Sequence, residues 1–225
     1  MKEVLAAFPE LRRSGPYLYR CPVKEILVGY LVEFPPGGPR LRALRLPLYE
    51  PSDSIHLDFS PELAKFRPDG TPPSHARRIS PEGALRQLPQ EEIAAELRAM
   101  WPRKMNSEAE RAFACRLISH IERDFDQLDQ REDLKQFAAS LRPRAEGEPL
   151  WRKTLALTLV MLCELREAQE LIVDLLREAD AAPFSEIQRD DLKFTLQSVE
   201  AGPVAAMAYR LDVVKEMRQR FSLVH

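Results

Sequence analysis

The chain has 225 residues, 44% hydrophobic and 30% charged, which fits one large globular domain or two small ones with a core that needs no staple. Its 33 Lys and Arg stand against 35 Asp and Glu, a net charge of -2, so attraction to nucleic acid or to an anionic membrane is not a global property. Cys21, Cys115 and Cys163 are spaced too widely for a metal knuckle or redox pair, and residues 1–10 lack a signal peptide's apolar run and cleavage site; reduced core cysteines and a cytoplasmic location are therefore expected.

Residues 2–11 predict a short helix with Val4, Leu5 and Phe8 inward. The period then changes. Tyr17, Tyr19 and Cys21 alternate with Leu18 and Arg20 as in a strand, and 25–34 is apolar on both faces, the mark of a central strand covered from two sides. Pro35, Pro36, Gly37, Gly38 and Pro39 form a loop. Residues 40–49 alternate again, and the exchange of Arg and Leu between faces points to a bulge or twist near Ala43. Ile55, Leu57 and Phe59 point one way, with His56 and Asp58 the other, as in a half-exposed strand. Four successive strands with short connections make an antiparallel meander.

Ser60, Pro61 and Glu62 read as the start of a short helical turn, and 67–80 carries too many prolines to be regular. Ile93, Leu97 and Trp101 mark one further helix face. After that the pattern is helical throughout. Ser107 with Glu110 forms a capping box, and Phe113, Leu117, Ile121, Phe125 and Leu128 recur at helical spacing. Leu134, Phe137 and Leu141 continue it after a phase slip near Asp129, which leaves one helix or two open; residues 142–149 read as a loop.

Residues 151–165 are the axis of the chain. Between Leu155 and Cys163 they are apolar on every face, too short a run to span a membrane, so neighbours must pack all round. Leu165, Ala168, Ile172 and Leu175 give an amphipathic partner; Ser185 with Gln188 caps a helix striped with Ile187, Leu192, Leu196 and Val199. Gly202 and Pro203 open the last helix, whose expected inner face is Val204, Met207, Leu211, Val214 and Phe221. Short connections make these four helices two stacked hairpins, with a period of about 36 residues that resembles helical-repeat arrays.

Little in the sequence announces chemistry. There is no phosphate-cradling glycine loop, no Gly-x-Ser-x-Gly elbow and no His-Glu-x-x-His. His120 and Asp124, four residues apart on a helix, share a face, but two ligands without a third do not bind a metal. Arg40, Arg42 and Arg45 with Tyr49 place basic and aromatic residues on one ribbon, as single-strand binders do, yet leucines interleave and the chain is acidic, so nucleic acid is not the expected partner. His56 and Asp58, with Arg20 or Arg42 from adjacent strands, form the polar cluster best suited to a hydrolase or nuclease-like site. The acidic run Asp124, Asp126, Asp129, Glu132 and Asp133 reads as a solvated helix face on which a basic toxin or nuclease could dock.

The expected architecture is α+β: an antiparallel sheet of about four strands over 1–66, a proline-rich linker with short helices over 67–106, and a helical array over 107–225, the sheet and array packing as one unit or apart. The expected function is binding another protein, most concretely an immunity-type protein that neutralises a toxin, with no cofactor, metal or membrane. The alternatives are the enzyme at His56 and Asp58 and a homo-oligomeric structural component.

Overall fold

Isoleucine, valine, leucine and tyrosine crowd strand β3 (Ile26–Glu33), and every residue but its last is buried. Such side chains suit a pleated strand, and burial on both faces places it at a sheet's centre. In the computed structural model, which describes residues 2–33, 39–51, 62–65, 107–178 and 184–223, β3 is the middle strand of five. The order is β1 (Leu11–Ser14), β2 (Tyr17–Arg20), β3, β4 (Arg40–Pro47) and β5 (Glu62–Lys65), each pair antiparallel. The meander expected from the alternation is present: β2, β3 and β4 are strands it predicted, β5 stands where a helical turn was expected, and β1 is an extra strand at the start.

That extra strand appears because helix α1 (Lys2–Ala7) stops short of Pro9, whose ring disfavours helical geometry in the residue before it. β1 then begins at Leu11, inside the stretch expected to be helical. Glu62 lies in β5 rather than in a helical turn; its partner is Arg42, and the β4–β5 register shifts between Leu41 and Arg42, beside the bulge expected near Ala43. The strand expected over 55–59, the linker and helix over 67–106, and the loop over 35–38 lie outside the described residues, as do the Ser107 and Glu110 side chains.

The other helices among the described residues are α2 (Ser107–Asp124), α3 (Gln127–Glu132), α4 (Leu134–Ala145), α5 (Pro149–Met161), α6 (Leu165–Arg177), α7 (Glu186–Glu200) and α8 (Pro203–Arg220). The phase slip near Asp129 is a real break: α3 is a short helix, and Asp133 caps α4 by accepting the Gln136 N–H at 2.8 Å. Helix α4 runs through Pro143, where a loop was expected. The missing amide costs one hydrogen bond, while Leu141 and Ala145, four apart, are both buried and hold the last turn down.

Helix α5 is surrounded as its composition requires: every residue from Lys153 to Met161 is buried, against α4, α6 and α8. It ends in a Schellman turn, with Glu164 N–H donating to Leu159 O at 2.9 Å and Cys163 N–H to Val160 O at 3.0 Å. Cys163 takes the left-handed position at φ 59° and is exposed, as is Cys115, so neither is the core thiol expected. The capping box at Ser185 and Gln188 is formed as read.

The expected stripe of α7 holds at Leu192, Leu196 and Val199 and fails at Ile187, while that of α8 fails at Val204 and Leu211. Helix α8 buries Ala206, Arg210, Val213, Val214 and Met217, while Val204 and Leu211 face solvent; α7 buries Asp191, Leu192, Thr195 and Val199, while Ile187 is exposed. The buried Arg210–Asp191 pair sets both phases. Among the described residues, no helix is long and apolar enough to cross a membrane.

Candidate functional site

The acidic run is not a free solvated face. Asp124 accepts two hydrogen bonds from Arg131, one of 2.6 Å, and is only partly exposed. Nearby, burial first and then the Asp124 charge raise the pKa of the Tyr30 hydroxyl. Asp129 is bonded to Arg20, whose guanidinium lowers the Asp129 pKa, although the Asp129 side chain is still 76% exposed. Glu132 is 5% exposed and accepts from Lys24 at 2.6 Å, with Arg20 at 3.9 Å. Asp133 is the α4 cap, and Asp126 is exposed at the α3 N-terminus with no side-chain cap bond. Asp129 and Glu132 fasten α3 to Arg20 and Lys24 at the end of β2, Asp124 ties α2 to α3, and the Phe8 and Phe125 rings stack at 5.1 Å. Asp126, Asp129 and Asp133 are the exposed members.

The polar cluster is not assembled among the described residues. His56 and Asp58 lie outside them, and its two arginines part company: Arg20 turns to Asp129 and Arg42 reaches Glu33 at 4.0 Å. The basic ribbon is dispersed too. Arg40 meets Glu62 at 3.8 Å, Arg45 lies 4.2 Å over the Phe137 ring, and Tyr49 is a core residue bonded to Thr158 at 2.8 Å. His120 is half-buried; burial, then Arg123, lowers its pKa and favours the neutral ring. Its expected partner Asp124 is held by Arg131. Among the described residues, no three His, Cys, Asp or Glu side chains gather to hold a metal ion.

Sequence reasoning missed a buried ionic cluster where the end of β4 enters the array. Arg210 is fully buried, donates to Tyr49 O at 2.7 Å and grips both Asp191 oxygens, one at 3.1 Å. Tyr209 OH donates to Asp191 at 3.0 Å, and burial, then the Asp191 charge, pushes its pKa up to about 12. Alongside, Lys153 pairs with Glu50, and Thr154 donates to Glu50 at 2.8 Å. The available signal was a charge at the inward phase of each helix. Cations and anions are matched here, and none of the described cavities opens onto them.

The surface tells a different story. Among the described residues five large hydrophobic side chains are exposed: Ile187, Phe194, Val204 and Leu211 lie on the α7–α8 hairpin, and Leu150 lies elsewhere. Ile187 and Phe194, seven apart, share a face of α7; Val204 and Leu211, seven apart, share a face of α8. Phe194 packs on Tyr209 with ring centroids 6.3 Å apart. Tyr209 and Leu211 are about 200° apart around α8, so the two apolar pairs flank the hairpin instead of merging into one stripe. Comparison with protein-family models, with curated proteins and with solved structures finds no match, so function is argued from this chain's own geometry.

Proposed function

We propose that this chain acts by binding another protein, and that the α7–α8 hairpin is where it does so. The observation that carries the reading is the gathering of Ile187, Phe194, Val204 and Leu211 in water on one hairpin, although the same two helices bury an arginine and an aspartate. Single exposed apolar residues are ordinary, but two apolar pairs on the two flanks of one hairpin, Ile187 with Phe194 and Val204 with Leu211, are what a partner clasping that hairpin would cover. Phe194, at 57% exposure, is the natural anchor, because buried aromatic groups dominate interface energetics.

The concrete version is an immunity-type protein that neutralises a basic toxin. In that reading the exposed carboxylates Asp126, Asp129 and Asp133 supply long-range steering, and the apolar hairpin slows dissociation. Asp124 and Glu132 are excluded from the docking set, because each is mostly buried as well as held in an internal pair; Asp129 stays in it by its 76% exposure, although it too bonds Arg20.

The test is capture from native lysate after nuclease treatment, with wild type beside a Phe194→Asp, Leu211→Asp variant of matched thermal stability. A stoichiometric protein retained by wild type and lost by the variant supports the reading, and the partner's own activity names the process. Equal capture by both, or none, overturns the hairpin assignment. Light scattering on the same samples separates a foreign partner from a second copy of this chain. Reversal of Asp126 should slow association and flatten its salt dependence without changing dissociation.

A further inference from the structure

We propose that the slot between the β1–β2 hairpin and the C-terminal end of α8 binds a small organic cation of the methylated or quaternary ammonium class. The slot has a volume of about 210 Å³, and its lining includes Pro16, Tyr17, Tyr19, Leu27, Phe221 and Leu223. Pockets for drug-sized ligands run to roughly 300–1,000 Å³, so the occupant is small: a trimethylammonium head and a short tail.

Two independent parts of the fold build the slot. Tyr19 pairs with Gly29 and Tyr17 with Leu31, so both tyrosines share one sheet face with Leu27, two residues before Gly29. The α8 end supplies the opposite wall through its own Schellman turn. There Ser222 is left-handed at φ 51°, and Leu223 N–H donates to Arg218 O at 2.9 Å, which fixes the chain direction through Phe221 and Leu223.

The chemistry of the lining selects the charge of the ligand. Three of its residues are aromatic, and none is charged. Aromatic faces carry negative potential and attract ammonium groups, most strongly when the cation is desolvated. Glu33 lies on the same sheet face, two residues beyond Leu31, with its side chain 32% exposed; Arg42 approaches it at 4.0 Å and Arg40 stands opposite it on β4, both on the side away from the slot's lining. Its field reaches Tyr17, where burial first and then Glu33 raise the hydroxyl pKa. An anion would meet this carboxylate without a cationic donor in the slot; a neutral apolar ligand would gain burial and nothing from Glu33.

The experiment is a proton NMR titration of the full chain, following tyrosine ring resonances, with choline and with its neutral carbon isostere, in which tert-butyl replaces trimethylammonium. Choline should bind about 5- to 30-fold more tightly than the isostere, and Tyr17→Leu or Phe221→Leu should each weaken it about 2- to 5-fold. Glu33→Gln, a surface change that keeps the sheet, should weaken choline and leave the isostere unaffected. Equal affinity for the two ligands would reduce the slot to a merely apolar pocket and overturn the proposal. So would undisturbed tyrosine resonances at millimolar choline. Either failure leaves the α7–α8 docking reading untouched, since that rests on other residues.

Discussion

Gly29 sits in the middle of β3, opposite Tyr19 on one side and Leu44 on the other. A Cβ there would stand 2.1 Å from Leu18 O and 2.7 Å from Tyr19 Cα, both backbone atoms that no rotamer change can move. Gly29→Ala must therefore push β2 off β3, and β2 is what joins β1 to the sheet. The expected loss is about 3 kcal/mol or more, at the upper end of single-substitution effects, read as a lowered urea midpoint. An unchanged midpoint would show that the strands do not approach this closely. The position was half legible: an isolated glycine in a strand pattern signals a bulge or a close approach. Which strand comes close depends on register, and local sequence does not encode it.

Helix ends were the least legible elements, for a physical reason. The α5–α6 junction has no glycine, so Cys163 reads as part of the apolar helix; in the fold it pays no burial and holds a left-handed conformation that favours glycine. A left-handed non-glycine residue costs about 1–2 kcal/mol, from which glycine's larger unfolded-state entropy subtracts about 0.5–1 kcal/mol. Cys163→Gly should accordingly raise stability by about 0.5–1 kcal/mol, seen as a higher melting temperature under reducing conditions. A destabilised variant would mean that the thiol makes contacts worth more than the strain. The capping box at Ser185 and Gln188 was legible because its signal is purely local. The phase of α8 was not, because apolar residues occur on more than one side of it and only tertiary contact with Tyr49 and Asp191 decides which side turns inward. The acidic run misled for a related reason: its solvated appearance depended on not knowing that Arg20, Lys24 and Arg131 would meet it.

At the scale of the whole molecule, the α+β architecture was readable because periods of two and of nearly four separate cleanly along the chain. Sheet and array share one apolar core; what was not readable is the polar part of that junction, which consists of charges from distant segments. Arg210 on α8 holds Tyr49 O at the end of β4 and Asp191 on α7, while Lys153 and Thr154 on α5 hold Glu50. A buried ion pair repays its desolvation only while both partners are present. Asp191→Ala leaves Arg210 charged and buried, and should cost about 3–5 kcal/mol. Arg210→Met should cost a similar amount by stranding Asp191. The double variant removes both charges and leaves Tyr49 O and the Tyr209 hydroxyl short of a partner, a residual of about 1–3 kcal/mol. The two single losses should thus fall well short of adding, with a coupling of at least about 2 kcal/mol in a double-mutant cycle from urea unfolding. Strict additivity would mean that the two side chains do not act as a pair. The cycle also tests how sheet and array are coupled. If Arg210 is an essential tie between them, circular dichroism of the helices and tyrosine absorbance, which reports the sheet through Tyr17, Tyr19, Tyr30 and Tyr49, should coincide in wild type and separate in the Asp191→Ala variant, because losing the tie lets the two layers melt at different denaturant concentrations.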